Sequence, residues 1–71
     1  MIKMYTRDNC TQCIATKQFL DRQEVDYEII DLDKEPEAMV QVEEMGYRSL
    51  PILVVDNESW SGFRPDKLSK L

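Results

Sequence analysis

Ile2 and Met4 alternate with Lys3 and Tyr5, a two-residue period that predicts a short strand ending near Thr6. Arg7-Asp8-Asn9 is polar and turn-like and breaks the alternation. From Thr11 to Arg22 the period lengthens. Ala15, Thr16, Phe19 and Leu20 share one face at about 100° per residue, so an amphipathic helix is expected there. Val25 to Ile30 returns to alternation, with Val25, Tyr27 and Ile29 on one side of a second strand. Pro36 opens a second helix in an acidic turn, where a helix N-terminus favours negative charge. Ala38, Met39, Val42 and Met45 form its apolar stripe, and Gly46 is its C-terminal stop. Pro51 to Val55 is apolar and β-branched, which predicts an interior strand with Pro at the one position a strand permits. Asp56-Asn57-Glu58 reads as a hairpin turn, although it lacks the usual Gly. Ser59 to Gly62 forms a short last strand, and Pro65 to Leu71 a final helix of about two turns.

The order is β-α-β-α-β-β-α, an α/β pattern. The first β-α-β implies a parallel pair with a right-handed crossover, and the last two strands imply an antiparallel hairpin. A mixed four-stranded sheet with helices on both faces accommodates every segment. Seventy-one residues allow one domain, 1–71, with a small core: such a chain buries only ~60% of the surface it exposes when unfolded.

Charge narrows the function. Nine basic and fourteen acidic residues give a net charge of −5, which argues against nucleic acid as a partner. The acids gather between Glu24 and Glu44. A solvated face explains them, with a docking surface for a basic partner as the alternative. The first residues lack the charged leader and apolar run of a signal peptide, and Leu50 to Val55 is too short to span a membrane. Cytoplasm is therefore the expected compartment, where thiols stay reduced. A monomer is the separate expectation for oligomeric state.

Cys10-Thr11-Gln12-Cys13 falls where a strand has ended and a helix begins. Unpaired N–H groups and a partial positive charge at a helix N-terminus stabilise a thiolate. At the free pKa of ~8.5 only about 3% of a thiol is ionised at pH 7; at ~7, half is. Arg7 and Lys17 are near enough in sequence to add to the effect. Cys13, one helical turn on, lies on the same side, and the spacing permits a disulfide. Cys10 is then the attacking thiolate on a partner disulfide, and Cys13 the thiol that resolves the mixed disulfide.

Other readings of the pair fit less well. A loop of four residues makes a poor structural staple, worth roughly 2 kcal/mol in chain entropy. Structural zinc needs four ligands, whereas the chain has two Cys and no His, so only a site bridging two copies remains. Two inert buried cysteines are the third option. The absence of His also removes Ser-His-Asp and Cys-His catalysis, and the only glycines, Gly46 and Gly62, make no phosphate loop. No bound cofactor or metal is expected.

Two further segments bear on the site. Pro51 in Ser49-Leu50-Pro51 is a candidate for a cis peptide bond, with an ordinary trans Pro equally open. A cis bond would turn the Leu50 backbone outward, where an extended partner segment can pair with it. Trp60 and Phe63 read first as caps on the small core; if exposed beside Cys10, Trp60 is instead an aromatic anchor for a partner. Pro65 and Asp66 are ordinary helix-start chemistry, and Arg64 is placed to pair with an acid and brace the loop. Thr11, Gln12 and Ile14 are docking candidates on the outer face of the first helix.

Over its full length the chain resembles a glutaredoxin-like protein of the thioredoxin fold, and specifically the NrdH-redoxins. The C-x-Q-C form of Cys10 to Cys13 and the stretch Trp60-Ser61-Gly62-Phe63-Arg64-Pro65-Asp66 carry the resemblance. It implies sheet order 2-1-3-4 with three helices, a cis Pro51, and a partner-binding surface including Leu50, Trp60, Ser61, Gly62 and Phe63. It also implies an electron donor to class Ib ribonucleotide reductase. The reductant would be thioredoxin reductase, a flavoprotein drawing on NADPH, and not glutathione. Glutaredoxins proper usually read C-P-Y-C, T-V-P and G-G-x-D-D where this chain has Cys10 to Cys13, Ser49-Leu50-Pro51 and Ser61 to Asp66. A glutathione-dependent glutaredoxin is the alternative of the same class. A non-catalytic metal- or protein-binding module is the alternative of another.

Overall fold

The alternation at the start of the chain becomes β1, Ile2–Thr6, and the other segments follow in the expected order. The structure, a computed structural model, describes residues 1–71. After β1 come α1 (Thr11–Gln23), β2 (Tyr27–Asp31), a single 3-10 turn over Pro36–Ala38, and α2 (Met39–Met45). The chain ends in β3 (Ile52–Val55), β4 (Glu58–Ser61) and α3 (Pro65–Leu68). The sheet runs β2-β1-β3-β4, with β2 parallel to β1 and both hairpin strands paired antiparallel. This is the thioredoxin fold with the sheet order 2-1-3-4.

The core lies on both faces of this sheet, because successive strand side chains point to opposite sides. On one face Met4, Leu53 and Trp60 pack with Leu20 of α1 and Leu68 of α3. On the other, Tyr5 and Ile52 pack with Leu32, Ala38 and Val42. Tyr5, read as the polar half of an alternation, is therefore buried; β1 is a central strand covered on both sides. Its hydroxyl is satisfied by Gln41 Oε1 at 2.8 Å.

The differences from expectation have local causes. β2 is an edge strand, begins at Tyr27 rather than Val25, and leaves Ile29 41% exposed although Val25 and Tyr27, expected on the same side, pack against the core. The second helix starts as a 3-10 turn at Pro36 before relaxing to α at Met39. The final helix is one turn, not two. Beyond Leu68 the N–H groups of Lys70 and Leu71 reach back three residues, a tightening that folds Leu71 onto the core. In the hairpin, Asp56 supplies the positive φ of 53° that Gly usually provides, a conformation its short polar side chain tolerates. Gly46 ends α2 at φ 82°, as expected. The acids from Glu24 to Glu44 are exposed apart from the half-buried Asp31.

One polar cluster ties α1 to β2. The Tyr27 hydroxyl donates to Asp21 Oδ1 at 2.6 Å, and Lys17 Nζ lies 3.2 Å from Asp21 Oδ2. Asp21 is held below the ordinary carboxylate value of 3.8, first by Tyr27 and then by Lys17. Tyr27 is raised above 10.0, by burial first and the Asp21 bond second. The Asp21 contribution to stability is complete above the unfolded pKa and is lost as pH falls through the folded one. The Tyr27 contribution is complete below its unfolded pKa and is lost as pH rises through the folded one.

Leu53→Ala, at a fully buried position, should cost about 3 kcal/mol in urea unfolding. That is a large part of the roughly 4–10 kcal/mol available to a chain of this size. In Tyr27→Phe, the carboxyl of Asp21 should titrate higher than in the parent yet still below its ordinary value, because Lys17 remains; carbon-detected NMR titration reads this directly.

Candidate active site

Asn9, at φ 60°, turns the chain out of β1, and α1 begins two residues later. Cys10 is the N-cap of that helix, with extended backbone at φ −110° and ψ 104°. Its sulfur accepts the backbone N–H of Cys13 at 3.1 Å, and its carbonyl accepts that of Ile14 at 3.1 Å. A sulfur thus occupies the place that a Ser or Asp oxygen takes at most helix starts. Cys10 and Cys13 form a disulfide with Cα atoms 5.2 Å apart. Cys10 is partly exposed, whereas Cys13 is only 3% exposed. Thr16 lies fully buried one turn below, its hydroxyl bonded to the Gln12 carbonyl at 2.8 Å.

This arrangement favours thiolate at position 10 once the disulfide is reduced. The Cys13 N–H already points at the sulfur, and the helix end adds a partial positive charge. Beside the pair opens a groove of about 240 Å³, lined by both cysteines with Met4, Arg7, Ile14 and Lys17. The charge on Lys17 is shared with Asp21, whose hydrogen bond also raises the lysine's pKa. Ile14, off the buried helical face as expected, is 57% exposed.

On the other side, Gln12 joins the helix start to the segment after β4. Its Oε1 accepts the Phe63 N–H at 3.3 Å. Gly62 has φ 86°, and a Cβ built there would sit 3.5 Å from the same oxygen, an ordinary contact. Backbone conformation, not space, is what calls for glycine at this position. Phe63, 36% exposed, packs edge-on against Phe19 with ring centroids 6.2 Å apart. The Leu50–Pro51 peptide is cis, Pro51 is buried, and the Gly62 N–H donates to the Pro51 carbonyl at 2.8 Å. Ser61 Oγ meets Ser49 Oγ at 2.9 Å.

Hydrogen bonds from Phe63 to Gln12 and from Gly62 to Pro51, with the Ser49–Ser61 pair, connect the segment of Thr11 and Gln12 to those of Leu50, Pro51, Ser61, Gly62 and Phe63. Trp60 is not among them. It is 4% exposed, packed in the core with Lys67 Nζ 5.5 Å from its ring centroid, so its place on a partner-binding surface is corrected. The alternation of β4 turns position 60 inward and 61 outward. Arg64 pairs with Asp66 at 3.1 Å and so braces the start of α3 rather than the cysteine loop. That ion pair holds the Asp66 carboxyl below its ordinary value.

The carboxylates of Asp8, Asp31 and Asp33 lie within 4.8 Å of one another. Two of them serve the backbone: Asp33 accepts the Asp8 N–H and Asp31 the Asp33 N–H, both at 2.9 Å. Sequence reasoning missed the hydroxyl pairs Tyr47–Ser59 and Ser49–Ser61, and the Phe19–Phe63 contact. A matching two-residue spacing of hydroxyls in the two segments was the available signal.

Comparison with known proteins agrees with this geometry. The glutaredoxin family profile matches residues 2–60. The glutaredoxin-like protein NrdH of Escherichia coli K12 is 43% identical over 70 residues, which cover 99% of this chain and 86% of that protein. NrdH of Lactococcus lactis IL1403 is 39% identical over 71 residues, covering 100% of this chain and 99% of the relative. The solved structure of E. coli NrdH-redoxin superposes with a TM-score of 0.94 over 99% of this chain and 92% of its own, at 43% identity. A glutaredoxin from Archaeoglobus fulgidus gives 0.87 at 30% identity, covering 99% and 83%. Fold, cysteine pair and kinship thus converge: the chain belongs to the NrdH-redoxins, glutaredoxin-like thiol–disulfide oxidoreductases whose redox-active pair here is Cys10 and Cys13.

Proposed function

We propose that this chain, acting as a single cytoplasmic domain, carries electron pairs from thioredoxin reductase to class Ib ribonucleotide reductase. One observation carries the chemistry: the partly exposed Cys10 sulfur caps α1 and receives the Cys13 N–H, while Cys13 itself is buried. In the dithiol form, the Cys10 thiolate attacks one sulfur of the partner disulfide. The partner's S–S bond breaks, its other sulfur leaves as thiolate and takes a proton, and a mixed disulfide remains. Cys13 then loses its proton and attacks Cys10 Sγ, releasing the second partner thiol. The partner disulfide is reduced to two thiols and the Cys10–Cys13 dithiol is oxidised to the disulfide.

Thr11, Gln12, Leu50, Ser61, Gly62 and Phe63 form the surface against which the partner segment lies, with the Leu50 backbone, next to the buried Pro51, offering an extended edge. Phe63 stands where glutaredoxins proper carry the acid- and glycine-rich region that holds glutathione carboxylates, which supports a flavoprotein reductant over glutathione. The solved E. coli relative is described as a glutaredoxin-like protein with a thioredoxin-like activity profile, and the same profile is assigned here. NADPH is the ultimate electron source, and no cofactor is bound by the chain itself. No helix is long and apolar enough to cross a membrane.

The test is NADPH oxidation with thioredoxin reductase, this chain and class Ib ribonucleotide reductase. Turnover should depend on the chain, and replacing the reductase by glutathione and glutathione reductase should leave only background. Efficient turnover with glutathione would overturn the assignment in favour of a glutathione-dependent glutaredoxin. Cys10→Ser should reduce turnover to background. Cys13→Ser should instead accumulate a mixed disulfide with the partner, visible on a non-reducing gel; trapping by Cys10→Ser in its place would reverse the assigned roles.

A further inference from the structure

β4 points Trp60 into the core and Ser59 and Ser61 to the opposite side. Residues 47–49, which leave α2 and lead to Pro51, lie against that second side. Their contact runs through hydroxyls at matched spacing. Tyr47 OH meets Ser59 Oγ at 2.8 Å, and Ser49 Oγ meets Ser61 Oγ at 2.9 Å. No backbone hydrogen bond joins residues 47–49 to 59–61; the next connection is Gly62 N–H to the Pro51 carbonyl at 2.8 Å. The Leu50–Pro51 unit is therefore bracketed, by the Ser49 side chain before it and the Pro51 carbonyl after it.

We propose that Ser49, supported by Tyr47, is a positioning residue for protein disulfide exchange: its bond to Ser61 holds the Leu50–Pro51 segment where a partner chain aligns beside Cys10. The inference rests on the proposed docking of partner backbone along Leu50. The hydroxyls of Tyr47 and Ser49 bond to Ser59 and Ser61 and not to a cysteine. The Tyr47 ring packs against the core and Ser49 is exposed, so Tyr47→Phe and Ser49→Ala remove the two bonds while the packing stays. A protein disulfide requires alignment of its flanking backbone; a small aromatic disulfide reaches Cys10 without it.

Single-turnover oxidation of the pre-reduced chain separates these cases, with insulin as the protein disulfide and 5,5′-dithiobis(2-nitrobenzoic acid) as the small one. In each, the Cys10–Cys13 dithiol is oxidised as the added disulfide is reduced. The double variant Tyr47→Phe, Ser49→Ala should react with insulin about three- to tenfold more slowly, the range expected from losing neutral hydrogen bonds of this kind. The loss should appear in the half-saturating insulin concentration rather than the limiting rate. Its reaction with the small disulfide and its Tm should match the parent. Ser49→Thr, which keeps the hydroxyl, should match the parent with both substrates. Unchanged insulin kinetics, an equal fall with both disulfides, or failure of the Thr variant would overturn the inference. A parent chain that itself leaves insulin unreduced would instead overturn the proposed function on which it rests.

Discussion

The redox site depends on a sulfur standing where a helix needs an acceptor. The N-terminal N–H groups of α1 have no carbonyl partners within the helix, and Cys10 Sγ takes the N–H of Cys13. The same contact that caps the helix favours negative charge on the Cys10 sulfur, the attacking atom of the proposed exchange, so local structure and proposed reactivity share one cause. Spacing then dictates the rest. Three residues on, Cys13 returns to the same side of the helix one turn deeper, where it is buried.

That helix start is held in place by a sheet filled on both sides. Central strands β1 and β3 carry Met4 and Leu53 on one face and Tyr5 and Ile52 on the other, so α1 and α2 are packed from opposite directions. Thr16 and Leu20 of α1 are fully buried, which leaves the helix little freedom to rotate beneath the cysteines. The edge strand β2 bears looser demands, and there an apolar residue, Ile29, stands partly in solvent.

Around the disulfide the structure adds short-range links between segments far apart in sequence. Gln12 reaches Phe63, Gly62 reaches Pro51, and Ser49 reaches Ser61. The segment after β4 thereby connects the cysteine turn to the Pro51 segment. Each link is a neutral hydrogen bond of modest net strength. Their value lies in geometry: they fix how the surfaces flanking Cys10 sit relative to one another.

Much of this was legible in the residues alone. Periodicity located every element, because a strand alternates its faces and a helix repeats its own at 3.6 residues. Cys10 and Cys13 stood out because chemistry and position coincide at a helix start, and the stretch from Trp60 to Asp66 pointed to the family. What pattern could not decide was which faces are covered and which segments meet. Burial of Tyr5 and exposure of Ile29 follow from central and edge positions in the sheet, a property of strand order rather than of either strand's own residues. Trp60 reads first as a core cap, with a docking anchor as the alternative, and the pairing of β4 with β3 turns it inward. The cis Leu50–Pro51 bond and the serine pair across it likewise belong to the tertiary structure. Sequence encodes local preference within a few residues, whereas contacts across dozens of residues exist only once the chain has closed on itself.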